Sequence, residues 1–389
     1  MVDMDMTFKV TAVLGALIWA GAGSVFAAAP QDPAVVKIGH VAPTSGQSAH
    51  LGRDNEDGAR LAIEDLNAQG VVIGGRKVKL ELVAEDDGAD PKQATAAAQK
   101  LVDAKVAGVI GHLNSGTTIP ASKIYNDAGI AQISPSATAP KYTLQGFKTA
   151  FRVVANDVHL GGTLGRYAIE QLKGKVVAVI DDRTAYGQGV ADEFEKGVKA
   201  SGGTLVARES TTDKATDFSA ILTSIKAKKP DIIFFGGMDS VGGPMLRQMK
   251  QLGLQAKFVG GDGICTADLP KLSGSALSSI QVVCAEAGGV EGEQKKTLEA
   301  FRARFKTRFN HEVKLYAPYV YDAVQVMVAA MVKAGSSDPV KYLPTLAATQ
   351  DYPGVTGRIG FDAKGDIRHG ALTIYTYKSG QRESLGVVR

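Results

Sequence analysis

Four short stretches of this chain carry residue types suited to holding a small polar ligand. The first is Asn114-Ser115-Gly116-Thr117-Thr118, between an apolar run and a helical pattern. Free amide N–H groups at a helix start, joined by hydroxyls, form an anion receptor. The stretch lacks the Gly-Lys-Ser/Thr ending with which a phosphate loop holds phosphates and Mg²⁺, so it suits a carboxylate better than a nucleotide. Simple capping of the helix by Ser115 explains the same residues equally well. The second stretch, Ser134-Pro135-Ser136-Ala137-Thr138-Ala139-Pro140, offers hydroxyls and backbone groups on a loop restrained by two prolines. An ordinary strand-to-helix connection is the plainer account of it. In the third, Asp262 is flanked by Gly260-Gly261 and Gly263. Glycine neighbours permit close approach, and a carboxylate there can pair with an ammonium, although an Asp turn gives the same pattern. In the fourth, Tyr186 stands between a strand and a helix, where its ring can close over a ligand. The adjacent Asp181 and Asp182 point to different sides at a strand end, which argues against paired catalytic carboxylates.

No stretch completes a catalytic or metal-binding set. The six histidines (40, 50, 112, 159, 311, 369) show no His-x-x-x-His spacing and the two cysteines no Cys-x-x-Cys, so neither a zinc site nor a thioredoxin-like centre is expected. A Gly-x-Ser-x-Gly elbow and a dinucleotide Gly-x-Gly-x-x-Gly after a strand are both absent. The expectation is a binding protein, not an enzyme, with no cofactor. Net charge is +4, from 44 basic and 40 acidic residues. Basic runs are short, and aromatics (6%) are not interleaved with them, which excludes a nucleic-acid surface. At the N-terminus, Lys9, the apolar run Val10 to Ala20 and the small residues around Ala27-Ala28-Ala29 read as a signal peptide over residues 1–29. A membrane anchor needs about 20 strongly apolar residues, and this run is diluted by Gly15, Gly21, Gly23 and Ser24. An exported, soluble protein is expected. In an oxidising compartment Cys265 and Cys284 are expected to pair, with two buried thiols as the alternative.

The elements that must position these stretches alternate regularly. Strands are predicted at Val35–Val41, Val78–Val83, Val106–Ile110 and Ile130–Ser134, with helices at Asp54–Ala68, Pro91–Ala104 and Thr117–Asp127. After Phe151 a second series follows. Its helices are Asp157–Gln171, Val190–Ala200, Phe218–Lys228 and Val241–Leu252, and its strands Val176–Ile180, Thr204–Ala207, Asp231–Phe235 and Lys257–Val259. Helices at 293–309, 317–334 and 338–349 and strands near 358–361 and 371–377 complete the chain. Near-continuous apolar strands between amphipathic helices imply parallel sheets covered on both faces. Two such series in about 360 residues imply an α/β protein of two doubly wound lobes.

An internal similarity links the two series. Val109-Ile110-Gly111 leads through a helix to Gly129-Ile130 and a polar loop at 134–136. Phe234-Phe235-Gly236-Gly237 leads through a helix to Gly253-Leu254 and a polar loop at 260–263. Ligands in open α/β sheets sit beyond the carboxyl ends of the strands, so two facing edges of this kind make a cleft.

These residues also resemble the leucine/isoleucine/valine-binding proteins of ABC importers. The likeness runs in order through Asp86-Asp87-Gly88-Ala89-Asp90-Pro91, Val109–Leu113, Pro120-Ala121-Ser122, Ser134–Pro140, Tyr186-Gly187-Gln188-Gly189, Asp217-Phe218-Ser219 and Asp362–Asp366. The resemblance implies two Rossmann-like lobes joined by three crossovers, the type I periplasmic-binding-protein fold. The implied lobes are 33–152 plus 287–357 and 153–286 plus 358–389. It also implies that Ser115 and Thr138, helped by backbone groups of Ser136, hold an α-carboxylate. Tyr186 would cover the ligand, Asp262 accept the α-ammonium, and Leu51, Met238 and Tyr316 line the side-chain pocket. Here Asp262 replaces a glutamate, and Leu51 and Met238 replace aromatics. The implied role is a monomeric periplasmic carrier that delivers a branched-chain or other neutral amino acid to an inner-membrane ABC permease. A carrier or sensor for amides, short-chain acids or aromatic carboxylates is the alternative.

Overall fold

The computed structural model describes residues 1–4 and 33–388. Beyond Met4, the expected signal peptide lies outside the described residues. The first sheet is built from β1 (Ala34–Ala42), β2 (Val72–Ile73), β3 (Arg76–Asp86), β4 (Gly108–Gly111), β5 (Gln132–Ser134) and β6 (Ala150–Arg152), in the order β2-β3-β1-β4-β5-β6. All pairings except the β2–β3 hairpin are parallel. The strands alternate with α1 (Ala49–Gln69), α2 (Pro91–Asp103), α3 (Ser115–Asp127) and the short α4 (Lys141–Leu144). The start of α2 is a helix signal read correctly: Asp90 accepts from the amides of Lys92 and Gln93, and Pro91 needs no amide partner.

The chain then enters a second sheet. Helices α5 (Asp157–Glu170), α6 (Ala185–Ala200), α7 (Ser219–Ala227), α8 (Asp239–Gln251) and α9 (Leu269–Ser273) connect β7 (Val176–Asp181), β8 (Thr204–Ser210), β9 (Ile232–Gly236), β10 (Lys257–Gly260) and β11 (Val282–Glu286). Helices α10 (Glu293–Phe309), α11 (Ala317–Ala334) and α12 (Pro339–Ala347) and the hairpin β12 (Tyr352–Gly354) and β13 (Gly357–Ile359) follow, with α11 packed on α1 of the first lobe. Strands β14 (Leu372–Lys378) and β15 (Gln381–Val388) return to the second sheet, whose order is β15-β14-β11-β10-β9-β7-β8. The chain thus crosses between lobes three times. The crossings are bonded to one another: the Arg152 amide donates to Gly365 O (2.9 Å) and the Ala155 amide to Ala287 O (3.2 Å).

Every residue of β9 is buried, as a central parallel strand requires. Phe194 of α6 stacks on Phe234 of β9 with ring centroids 3.9 Å apart, an arrangement worth about 1 kcal/mol beyond burial. In each sheet the order reverses beside the first strand, β1 in one and β7 in the other, and ligand sites form at such points.

Two expected helix starts are corrected. Helix α1 begins at Ala49, not Asp54, and α6 at Ala185, not Val190. A Cβ on Gly52 would lie 2.0 Å from Pro43 O, and one on Gly187 would lie 2.1 Å from Asp182 Oδ1 and 2.5 Å from Gly236 O. These glycines let a helix pass against backbone; they do not end it. Strands β2, β6, β11, β12 and β15 were not expected. The first four are short, and β15 is an exposed polar edge strand held by its pairing with β14.

Candidate functional site

All the expected ligand residues except Tyr316 follow the carboxyl end of a strand. Leu51 follows β1, Ser115 β4, Ser136 and Thr138 β5, Tyr186 β7, Met238 β9 and Asp262 β10. In the first lobe the polar groups are tied together locally. Ser115 Oγ accepts from the Ala139 amide (3.1 Å), and the Ser136 hydroxyl donates to Leu113 O (3.0 Å). The Ser134 hydroxyl donates to His112 O (2.9 Å) and accepts from the Ala137 amide (2.9 Å). Beneath them the fully buried Arg152 donates to Ala137 O (2.7 Å), Ala139 O (3.0 Å) and Thr143 Oγ1 (2.9 Å), and pairs with Asp366 of the third crossing. The Ala137 and Ala139 carbonyls are therefore satisfied by Arg152, which fixes the loop in place. The Thr138 hydroxyl is fully buried and has no hydrogen-bond partner.

In the second lobe Asp262 is buried beyond β10. The Tyr186 hydroxyl donates to its Oδ1 (2.8 Å) and accepts from the Gly263 amide (3.0 Å). The Tyr316 hydroxyl, from the first lobe, donates to Oδ2 (2.9 Å). Tyr316, expected in the side-chain wall, thus also touches the expected ammonium acceptor. The glycines beside Asp262 leave room for Tyr186: a Cβ on Gly261 would stand 2.5 Å from its hydroxyl and one on Gly263 2.9 Å from its ring. Burial pushes the Asp262 carboxyl up to about 6, against the pull of the two tyrosine hydroxyls.

Asp157, the first residue of α5, belongs to this site and was missed. Asn156 caps the helix, accepting from the Val158 (3.1 Å) and His159 (3.4 Å) amides, so the carboxyl of Asp157 is not used for capping. Both its oxygens are buried without a partner. Its amide donates to Thr138 O (2.9 Å). Burial raises the carboxyl to about 8. The Thr138 hydroxyl, near but not hydrogen-bonded, opposes this, and the charge of Asp262 adds to it. An acidic residue directly after a cap residue was the available sequence signal. A buried acid and a buried hydroxyl, both unpaired and facing each other across the lobes, form a place for a polar guest.

Tyr316 is held by Asp54, another buried acid that the sequence did not flag. Its carboxyl accepts from the amides of Lys314 (2.7 Å), Leu315 (3.1 Å), Tyr316 (2.8 Å) and Ala317 (2.9 Å), capping α11 from α1. Leu51, Met238, Tyr186 and Tyr316 belong to one contiguous apolar cluster that spans the lobes. Met238 and Tyr186 also line a cavity of about 830 Å³ at the cleft mouth, with Asn114 and Arg183. Asp181 and Asp182 are split as expected. Asp181 pairs with Arg208 (2.8 Å), and Asp182 accepts from the Thr184 amide (3.0 Å). Cys265 and Cys284 stand with sulfurs 2.10 Å apart, joining the Asp262 loop to β11.

A family model described as periplasmic binding protein matches residues 35–382. The chain belongs to that family. Among periplasmic binding proteins it is similar to the leucine-, isoleucine-, valine-, threonine-, and alanine-binding protein of Pseudomonas aeruginosa, 35% identical over 370 residues, 95% of this chain and 97% of the relative. Its fold is similar to that of the leucine binding protein LivK of Thermotoga maritima (TM-score 0.82, 25% identity, 91% and 98% of the two chains). It is equally similar to LivJ of Streptococcus pneumoniae, solved in complex with isoleucine (TM-score 0.81, 28% identity, 91% and 99%).

Proposed function

We propose that this periplasmic binding protein carries a branched-chain or other neutral α-amino acid in the cleft between its lobes and delivers it to an inner-membrane ABC permease, without transforming it. The lobes are 33–152 plus 287–357 and 153–286 plus 358–389. Residues 1–29 direct export to the periplasm, where the protein works as a monomer with Cys265 and Cys284 bridged. The observation that carries this reading is the convergence of two buried carboxyls, Asp157 and Asp262, with the buried hydroxyl of Thr138, all three around one point between the lobes. An α-amino acid supplies partners for the unpaired Thr138 hydroxyl and Asp157 carboxyl, with its carboxylate held by Ser115, Thr138 and the Ser136 backbone and its ammonium by Asp157 and Asp262. Leu51, Met238 and the Tyr316 ring then surround an aliphatic side chain, and Met adapts to its shape. Closure brings Tyr186 and Asp262 onto the ligand and removes water, which strengthens each polar contact. The Pseudomonas protein, named for binding leucine, isoleucine, valine, threonine and alanine, and LivJ, solved with isoleucine, support the same class.

One observation favours a second reading. A carboxyl raised to about 8, as Asp157 is, carries its proton at neutral pH and can donate to an amide or an uncharged acid. A thermal-shift screen of protein stripped of ligand by refolding separates the two. A ligand at 100 times its dissociation constant adds about 2.7 kcal/mol of stability. A raised melting temperature with leucine, isoleucine or valine supports the amino-acid carrier. Shifts only with amides or carboxylic acids move the ligand class to the second reading.

A further inference from the structure

The cleft is closed along one side by contacts that do not touch the proposed ligand position. His50, in the first turn of α1, points across the lobes at Asp239, the first residue of α8. Its Nε2 lies 2.9 Å from Oδ2 and 3.1 Å from Oδ1. Asp239 is fully buried, and the Thr266 hydroxyl donates to its Oδ2. Next to this pair, Lys314 Nζ of the first lobe meets Asp268 Oδ1 of the second (2.8 Å), and the Ala267 amide donates to Lys314 O (3.2 Å). The charged groups that face the imidazole are thus Asp239 and Asp268 from the second lobe and Lys314 from the first. Two acids outweigh one cation. Burial works against the charged ring, the carboxyl of Asp239 prevails, and the pKa of His50 is raised. Its side chain keeps 23% exposure, so the ring exchanges protons with solvent in the closed form.

We propose that His50 and Asp239 form a proton-operated latch between the lobes: the protonated imidazole holds the cleft shut, and loss of the proton weakens that hold. Thr266 orients the Asp239 carboxyl, and the Cys265–Cys284 bridge fixes the loop that carries Thr266. His50 and Asp239 are positioning residues. They adjoin Leu51 and Met238 in the chain, so latching also sets the two pocket walls. The inference rests on the reading that the lobes close around a ligand. It adds that closure is stronger in acid than at neutral pH, by a pair that no ligand group contacts.

The test begins without ligand. Small-angle scattering of the ligand-free protein at pH 6 and pH 8 is compared for wild type, His50→Gln and Asp239→Asn. Wild type is expected to be more compact at pH 6. Asp157 and Asp262, whose protonated forms are also favoured by burial, leave a residual trend in the variants. His50→Gln and Asp239→Asn should each lose at least half of the pH-dependent change and resemble wild type at pH 8. A change retained by more than half in His50→Gln overturns the latch. If one variant fails to fold, the other carries the same readout, because either substitution removes the ion pair. With leucine bound, dissociation from wild type is expected to be about tenfold faster at pH 8 than at pH 6, a dependence that shrinks in both variants. If no amino acid binds, the scattering result still decides the latch, and the ligand class fails separately.

Discussion

The two sides of the cleft are built in different ways. The first-lobe groups, Ser115 and the loop from Ser134 to Pro140, are fixed by bonds within their own lobe, with Arg152 supporting the loop from behind. The second-lobe carboxyl, Asp262, is satisfied by one tyrosine from each lobe and therefore changes partners when the lobes part. In the function proposed above, the first side is a preorganised receptor that meets a carboxylate in the open form, and the second is complete only on closure. The difference suits a protein that must capture first and enclose afterwards.

The largest expected effect tests the support of the first side. Arg152→Met leaves Asp366 without its buried cation and frees two loop carbonyls. A loss of about 3–5 kcal/mol in urea unfolding is expected, and a loss below 1 kcal/mol would mean that the loop stands unaided. On the second side, Asp262→Ala is expected to weaken amino-acid binding at least a hundredfold by calorimetric titration, about 2.7 kcal/mol. Affinity within tenfold of wild type would transfer the ammonium to Asp157. Ser115→Ala removes one hydrogen bond to a charged group, about 1.5–3 kcal/mol, or roughly ten- to a hundredfold in affinity. If it matches Asp262→Ala, the two sides contribute equally.

The last expected effect is the dependence of stability on pH. Asp157 and Asp262 are raised to about 8 and about 6 in the folded protein, from an ordinary value of 3.8. At these two carboxyls the ligand-free fold binds more protons than the unfolded chain, from about pH 4 to 6 for Asp262 and from about pH 4 to 8 for Asp157. Their contribution to stability therefore falls as pH rises, by at most about 1.4 kcal/mol per unit for each group. Saturation with an amino acid supplies a cation to both acids and should flatten this slope in denaturant titrations across that range. An unchanged slope would place the ammonium elsewhere.

Much of the architecture was legible because parallel strands buried on both faces leave continuous apolar runs, as in Ile232–Gly236. Caps with their own chemistry, such as Asp90-Pro91, were legible too. The misplaced starts of α1 and α6 share one cause. Gly52 and Gly187 are selected by the backbone they must pass, and that backbone is distant in the sequence or across a turn. Of the site, the polar loops could be found because hydroxyls and glycines cluster after strands. Asp157 offered only a weak signal, an acid directly after a cap residue, and Asp54 none, because each looks like one more acid near a helix start. What distinguishes them is burial, with no partner for Asp157 and four amides for Asp54.

The pairing of Arg152 with Asp366 joins residues 214 positions apart. A chain that emerges N-terminus first makes the loop from Ser134 to Pro140 early, but it cannot finish supporting that loop until Asp366 has been delivered. The support is therefore completed late in synthesis, not when the loop itself is made. Without Asp366, Arg152 loses its acid partner, and the loop from Ser134 to Pro140 loses part of its support even though the first sheet, which ends at Arg152, is already complete.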